Sequence, residues 1–182
     1  YAHRGYTLRR PVEAVLLFLA TLATQGSALR WSTEHRRHHA FVDTDDLIEA
    51  DQKITITGIF SAFGAPYFRD VETRIIKQVL ENENQVISTG GGAVIRDENR
   101  KAFKENGITI CLTAHPESIY ARIKHETHRP LLQVPDPVAR VRELLAGREQ
   151  FYRQADFIID TSERSVDDVI SEIKEKVRYA CC

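Results

Sequence analysis

Methionine is absent from the 182 residues, tryptophan occurs once and cysteine three times. Cys111 sits alone inside the apolar run 108–112, while Cys181 and Cys182 close the chain. No cysteine spacing suits a disulfide framework or a thiolate metal site, so a reducing, cytoplasmic setting is expected. The missing methionine and a first residue Tyr1 point to a fragment, a processed product or an assembled chain. The uncharged stretch from Ala14 to Leu29 is sixteen residues, short of the roughly 18–20 that cross a bilayer unaided. Charge of neither sign prevails, with a formal net charge of -1. No segment interleaves aromatics with Lys/Arg as a base-stacking surface would, and nucleic acid is set aside as a partner. Gly-x-x-x-x-Gly-Lys-[Ser/Thr] occurs nowhere. The loop whose backbone N–H groups and lysine cradle phosphates is therefore missing from the sequence.

What is present suits a globular chain: 42% hydrophobic and 28% charged residues, with the length of one domain. The net charge conceals a split. Residues 1–40 hold six Lys/Arg against two Asp/Glu, and residues 41–182 hold nineteen against twenty-four. The N-terminal piece is thus foreign in composition to the rest. Within it, residues 14–23 are strongly apolar, opened by Pro11 and closed by Gly26, which predicts a helix. A short membrane segment, a buried core helix and a signal-peptide hydrophobic region all remain open, and membrane contact through residues 11–29 remains open with them. His35, His38 and His39 stand at i, i+3 and i+4, one helical face with the spacing of metal ligands. Arg36 and Arg37 between them favour a solvated basic helix end instead.

From residue 41 onward, short continuous apolar runs at 86–88, 108–112 and 157–159 alternate with helical periodicity. That layout predicts an α/β fold whose parallel strands are covered on both faces. Phe68, Val71, Ile75, Ile76, Val79 and Leu80 form one apolar helix stripe, and Val166, Val169, Ile170, Ile173 and Val177 another. Ser165 and Asp168 form a capping box ahead of the second. Alternation at Ile54-Thr55-Ile56-Thr57 reads as an edge strand. The polar groups that carry chemistry are Asp43 and Asp45, Arg69 with Glu72 one turn on, Gly90-Gly91-Gly92, Arg129 and Arg148. Two arginines can fork a carboxylate, an aspartate can accept from hydroxyls, and a glycine lets backbone approach a ring closely. Glu72 can hold the Arg69 guanidinium in place.

Two resemblances rest on these residues. His3-Arg4, Arg10-Pro11-Val12-Glu13, Thr24-Gln25-Gly26-Ser27, Trp31 and the run from Glu34 to His39 followed by Asp43-Thr44-Asp45 resemble the front of membrane fatty acyl desaturases over residues 1–45. That resemblance equates His35, His38 and His39 with a vestigial histidine box. Four histidines on one short segment do not close a diiron centre, so iron is not expected. Phe41 to Asp45, Phe68 to Glu72, Thr89 to Val94, Arg129-Pro130-Leu131-Leu132 and Arg148-x-x-x-Tyr152-x-x-Ala155-Asp156 together resemble shikimate kinase over residues 41–182. This second resemblance implies a nucleoside-monophosphate-kinase-like core and ATP- and Mg²⁺-dependent phosphorylation of the 3-hydroxyl of shikimate. By motif it assigns Asp45, Arg69, Gly91 and Arg148 to shikimate. Asp43 falls to Mg²⁺ and the reactive hydroxyl, and Arg122 and Arg129 to ATP, with Arg129 on a mobile lid.

The family's phosphate loop follows a central first strand, and a chimeric chain joined near Phe41–Asp45, as the two resemblances imply, holds neither. The expectations are therefore a 1–40 desaturase-like fragment with an extra apolar helix, and a 41–182 kinase-like domain lacking its central strand. The cradle for ATP is missing, and activity is absent or impaired. A non-catalytic shikimate-binding protein and a membrane-associated desaturase fragment are the alternatives. In family members Glu usually stands where this chain has Ala65, which unsettles the start of the helix there. The family also implies a turn and helix start where alternation suggests an edge strand at 54–57.

Overall fold

The computed structural model describes residues 14–18, 40–124 and 134–180. Among them five strands form one parallel sheet: β1 (Ala14–Phe18), β2 (Ala40–Asp43), β3 (Gln85–Thr89), β4 (Gly107–Thr113) and β5 (Phe157–Asp160). Their order across the sheet is β2-β3-β1-β4-β5. The expectation of a missing central strand is corrected by β1. It pairs Ala14 to Phe18 with Gln85 to Thr89 on one edge and with Gly107 to Cys111 on the other. A strand with parallel neighbours on both edges demands unbroken apolarity more than β-branching, and Ala-Val-Leu-Leu-Phe meets that demand despite modest strand propensity. The helix expected over 14–23 is replaced by strand at 14–18. The remainder of that helix lies outside the described residues, as does most of the 11–29 segment. Among the described residues no helix is long and apolar enough to cross a membrane.

Alternation along β3 and β4 divides the core between two faces. Val86, Ile108, Ile110 and Leu112 pack with Ile159 against Val169 and Ile173 of helix α6 (Val166–Ala180). Ile87 and Cys111 face the other way, toward helices α2 (Ile56–Val79), α3 (Asp97–Asn106) and α5 (Pro137–Tyr152). The apolar stripe read from the sequence is core: Phe68, Val71, Ile75, Ile76 and Val79 are buried, and Leu80 packs against them. Helices α1 (Thr44–Gln52) and α4 (Pro116–Ile123) complete the set, and α4 packs on α5 through Ile119, Ile123 and Val141.

Residues 54–57 do not form an edge strand. Thr55 caps α2 by accepting from the Gly58 N–H at 3.2 Å, and Glu49 Oε1 accepts from the Ile56 N–H at 2.8 Å. Two side-chain acceptors for orphan N–H groups outweigh four residues of alternation, and the helix start implied by the family is what forms. Inside α2, Gly64 has φ 79° and ψ 175°, and Pro66 follows two residues on. The left-handed φ favours glycine and Pro66 lacks the N–H a continuous helix would use, so α2 is two rods joined at 64–66. The departure at Ala65 therefore falls in this break. At α6 the Ser165 hydroxyl accepts from the Asp168 N–H at 3.2 Å and donates to the Asp168 carboxylate at 2.6 Å.

Cys111 is fully buried, and burial pushes its thiol up to about 12. The neutral thiol is thus the folded form: its contribution to stability is whole below the usual thiol range and fades only as pH rises through about 12. Iodoacetamide at pH 8 should leave Cys111 unmodified in the folded protein and alkylate it in urea, as read by peptide mass spectrometry. Labelling of the folded chain at the unfolded rate would contradict this burial.

Candidate functional site

The C-terminal ends of parallel strands are where helix N-termini and loops converge, and the polar residues gather there on β2 and β3. Asp43 ends β2 and is the N-cap of α1, its carboxylate accepting from the Asp45 N–H at 2.9 Å. In the sheet register Asp43 lies beside Ser88 of β3. Burial pushes the Asp43 carboxyl above its ordinary value, and the neighbouring Asp46 charge acts in the same direction. The Asp45 and Asp46 N–H groups and Ser88 act against it. The result is a carboxylate anchored at the start of α1 by the Asp45 N–H.

Two residues further on, Asp45 reaches the glycine loop that follows β3. A methyl group built on Gly90 would lie 3.5 Å from Asp45 Oδ1 and 3.6 Å from Glu72 Oε1, so two carboxylates from α1 and α2 converge on one glycine. Glu72 is fully buried and ion-paired with Arg69, one helical turn away on α2. Burial pushes the Glu72 carboxyl upward, while the positive charges of Arg69, Arg148 and Arg96 pull it down. Glu72 Oε1 has no hydrogen-bond partner among the described residues. Gly92 completes the close contact: a Cβ there would stand 2.2 Å from Arg69 Nη2. Its φ of -90° and ψ of -11° suit any residue, so the guanidinium and not the backbone requires glycine.

Arg148 arrives on α5. It lies one helical turn before Tyr152, and its charge acts on both Tyr152 and Glu72. The Tyr152 hydroxyl donates to the Gly91 carbonyl at 2.9 Å. The structure thus brings Asp45, Arg69, Gly91 and Arg148 around one spot, with Asp43 at its edge. Two cations with a partly exposed carboxylate can hold a small anionic polyol.

Arg122 lies apart, at the end of α4, donating to Thr161 Oγ1 at 3.0 Å and to the Thr161 carbonyl beyond β5. Arg129 and the histidines His35, His38 and His39 lie outside the described residues. Among the described residues no group of three or more His, Cys, Asp or Glu could hold a metal ion. For Mg²⁺ the Asp43 carboxylate is a suitable hard ligand, one oxygen donor of the several such an ion needs. Residues 19–39, which follow β1 in the sequence, contain a single glycine, Gly26, and the first lysine of the chain is Lys53.

Ser88, Gly92 and Tyr152 are participants to which the sequence reading gave no role of their own, although Gly92 stood in the glycine run and Tyr152 in the Arg148 motif. Ser88 is recognisable only from strand register. Gly92 needs the position of Arg69. Tyr152 carried a signal, since it follows Arg148 by four residues and so shares a helix face with it.

Comparison with known proteins places this arrangement in company. The family model described as shikimate kinase matches residues 34–178. A shikimate kinase of Symbiobacterium thermophilum is 47% identical over 141 residues, 76% of this chain and 81% of its own. One from Burkholderia lata is 36% identical over 172 residues, 94% of each chain. The solved structure of shikimate kinase from Acinetobacter baumannii in complex with shikimate superposes with a TM-score of 0.84 at 29% identity, covering 93% of this chain and 94% of its own.

Proposed function

The chain belongs to the shikimate kinase family, and we propose on that premise that it binds shikimate at the cluster around Gly90–Gly92 as the acceptor of a phosphoryl group from ATP. The single observation that carries the reading is the convergence of Asp45, Arg69, Gly91 and Arg148, drawn from three helices and one loop, on one spot beside Asp43. Arg69 and Arg148 fork the shikimate carboxylate, Asp45 accepts from ring hydroxyls, and Asp43 stands next to the 3-hydroxyl that is phosphorylated. Arg122 and Arg129 belong to the nucleotide side, and Mg²⁺ would come with ATP, with Asp43 as its protein oxygen. The acceptor site so described lies wholly within residues 41–182, and a cytoplasmic setting goes with it.

Transfer itself is expected to be weak. Phosphoryl transfer depends on neutralising the β- and γ-phosphates, which such kinases do with a glycine-rich loop and its lysine. No such motif occurs in this sequence. That observation favours a second reading, a shikimate-binding protein with little or no turnover. The desaturase-like reading of residues 1–45 finds no support beside a shikimate kinase relative aligned over 94% of this chain. Titration calorimetry with shikimate in the absence of nucleotide tests the acceptor site: binding is expected, and its absence would overturn the assignment. A coupled assay with Mg²⁺-ATP separates the two readings. Turnover near the ~1–100 s⁻¹ usual for kinases would show that another segment grips the phosphates.

A further inference from the structure

Two consecutive residues of α3, outside the acceptor site itself, hold the turn that follows its glycine loop. That turn, the 3₁₀ segment Ala93–Ile95, is fastened to the loop by its own backbone. The Ala93 N–H donates to the Gly90 carbonyl at 3.0 Å, and the Ile95 N–H donates to the Gly92 carbonyl at 3.1 Å. The three carbonyls of the turn are taken by α3. Asn99, fully buried, donates to the Ala93 carbonyl at 2.9 Å, and Arg100 Nη1 donates to the Val94 and Ile95 carbonyls at 2.6 and 3.0 Å.

Arg100 also reaches the helix that carries Arg148. Its Nε donates to Gln154 Oε1 at 3.1 Å, just past the end of α5, and its Cζ lies 4.6 Å from the centre of the Phe151 ring. Asp97 Oδ1 accepts from Nη2 at 3.0 Å, so all three guanidinium nitrogens are engaged, and the side chain is only 16% exposed. A planar cation with partners on three elements has one position, which the single ammonium of a lysine cannot reproduce.

We propose that Arg100 is a positioning residue for acceptor binding: it grips the turn after Gly90–Gly92 and the end of α5 together, and so sets how far Arg148 stands from the glycine loop. The inference rests on the shikimate reading above and deepens it. Arg148 lies one turn before Phe151 on α5, so a shift of that helix end moves the cation assigned to the carboxylate. Asn99 keeps its own bond to the turn, so loss of the Arg100 fork frees α5 rather than the loop. A cation placed beforehand costs the complex less than one ordered on binding.

The test compares Arg100→Lys with the unaltered chain by titration calorimetry, using shikimate and its methyl ester, which keeps the ring hydroxyls and lacks the anion. Lysine retains the charge and the apolar stem, so long-range attraction for the anion is kept. The shikimate Kd should rise about tenfold, the scale of one hydrogen bond to a charged group, while the ester Kd stays within twofold. Gln154→Ala removes one exposed link to α5 and leaves Arg100 on its carbonyls. There the shikimate Kd should rise about threefold, with the ester again unmoved. In either variant, equal weakening of both ligands, as general loosening would give, or an unchanged shikimate Kd would overturn the proposal. Should Arg100→Lys fail to fold, Gln154→Ala decides alone. If the unaltered chain binds no shikimate, the acceptor reading itself fails, an outcome distinct from variants that bind normally.

Discussion

Glu72→Ala should lower the thermal midpoint by about 10 °C, the largest stability loss expected from any single polar side chain in the site. The substitution removes the partner of Arg69 while the side chain around that guanidinium stays only 19% exposed. Breaking a buried ion pair by removing one member leaves an uncompensated charge, at a cost of about 3–5 kcal/mol, and for a domain of this size each kcal/mol moves the midpoint by about 2–4 °C. Arg148 makes the loss worse, since its charge also acts on Glu72 and would then face Arg69 with no carboxylate between. A circular-dichroism melt decides it. The exposed pair of Arg74 with Asp51 supplies the contrast: Asp51→Ala should leave the midpoint unmoved, as surface ion pairs usually do. A Glu72→Ala shift as small as that of Asp51→Ala would mean the Arg69 guanidinium is effectively solvated.

Gly92→Ala is expected to have the converse profile, with binding lost and fold retained. The added methyl would sit 2.2 Å from Arg69 Nη2 and 2.6 Å from its Cζ, so the guanidinium must leave. Because the obstacle is the end of a flexible side chain and the backbone angles suit alanine, the fold can accommodate the change. Glu72 keeps the Arg148 and Arg96 charges acting on it when Arg69 is displaced, so it is not left without a compensating cation. Alanine also reduces the freedom of the unfolded chain, worth about 0.4–1 kcal/mol in favour of folding. The midpoint should therefore move by less than 5 °C, roughly 1–2 kcal/mol at this size. The shikimate Kd should rise about 100-fold, since a displaced bidentate cation forfeits about 3 kcal/mol. Calorimetry alongside the melt checks both halves. Normal binding by the alanine variant would show that Arg69 holds the ligand from a different rotamer.

How much of this was legible beforehand depends on the kind of interaction involved. Helix stripes such as Phe68 to Val79 were readable because burial of one face imposes a 3.6-residue period that no other requirement erases. Asp45, Arg69 and Arg148 stood out in the sequence by their motifs, and the fold brings them near one glycine loop, which is what supports the acceptor site proposed for them. Ala14–Phe18 was misread as helix because a five-residue apolar run carries no period of its own; only its place between β3 and β4 decides its state. Thr55 was misread because a cap and a strand residue are the same amino acid seen with different neighbours, and the neighbour here is Glu49. Ser88 beside Asp43, and Gly92 beside Arg69, depend on strands and helices that meet only in three dimensions.

The position of β1 bears on how the molecule assembles. Ala14 pairs with Gly107, so the contacts at the middle of the sheet are among those most distant along the chain. β2 with β3, and β4 with β5, can each align through nearer partners, but the two pairs have no common edge until the early segment slots between them. Closing so wide a loop costs entropy before any pairing rewards it. The chain should therefore gain its last cooperativity late, when the first strand made becomes the last one seated.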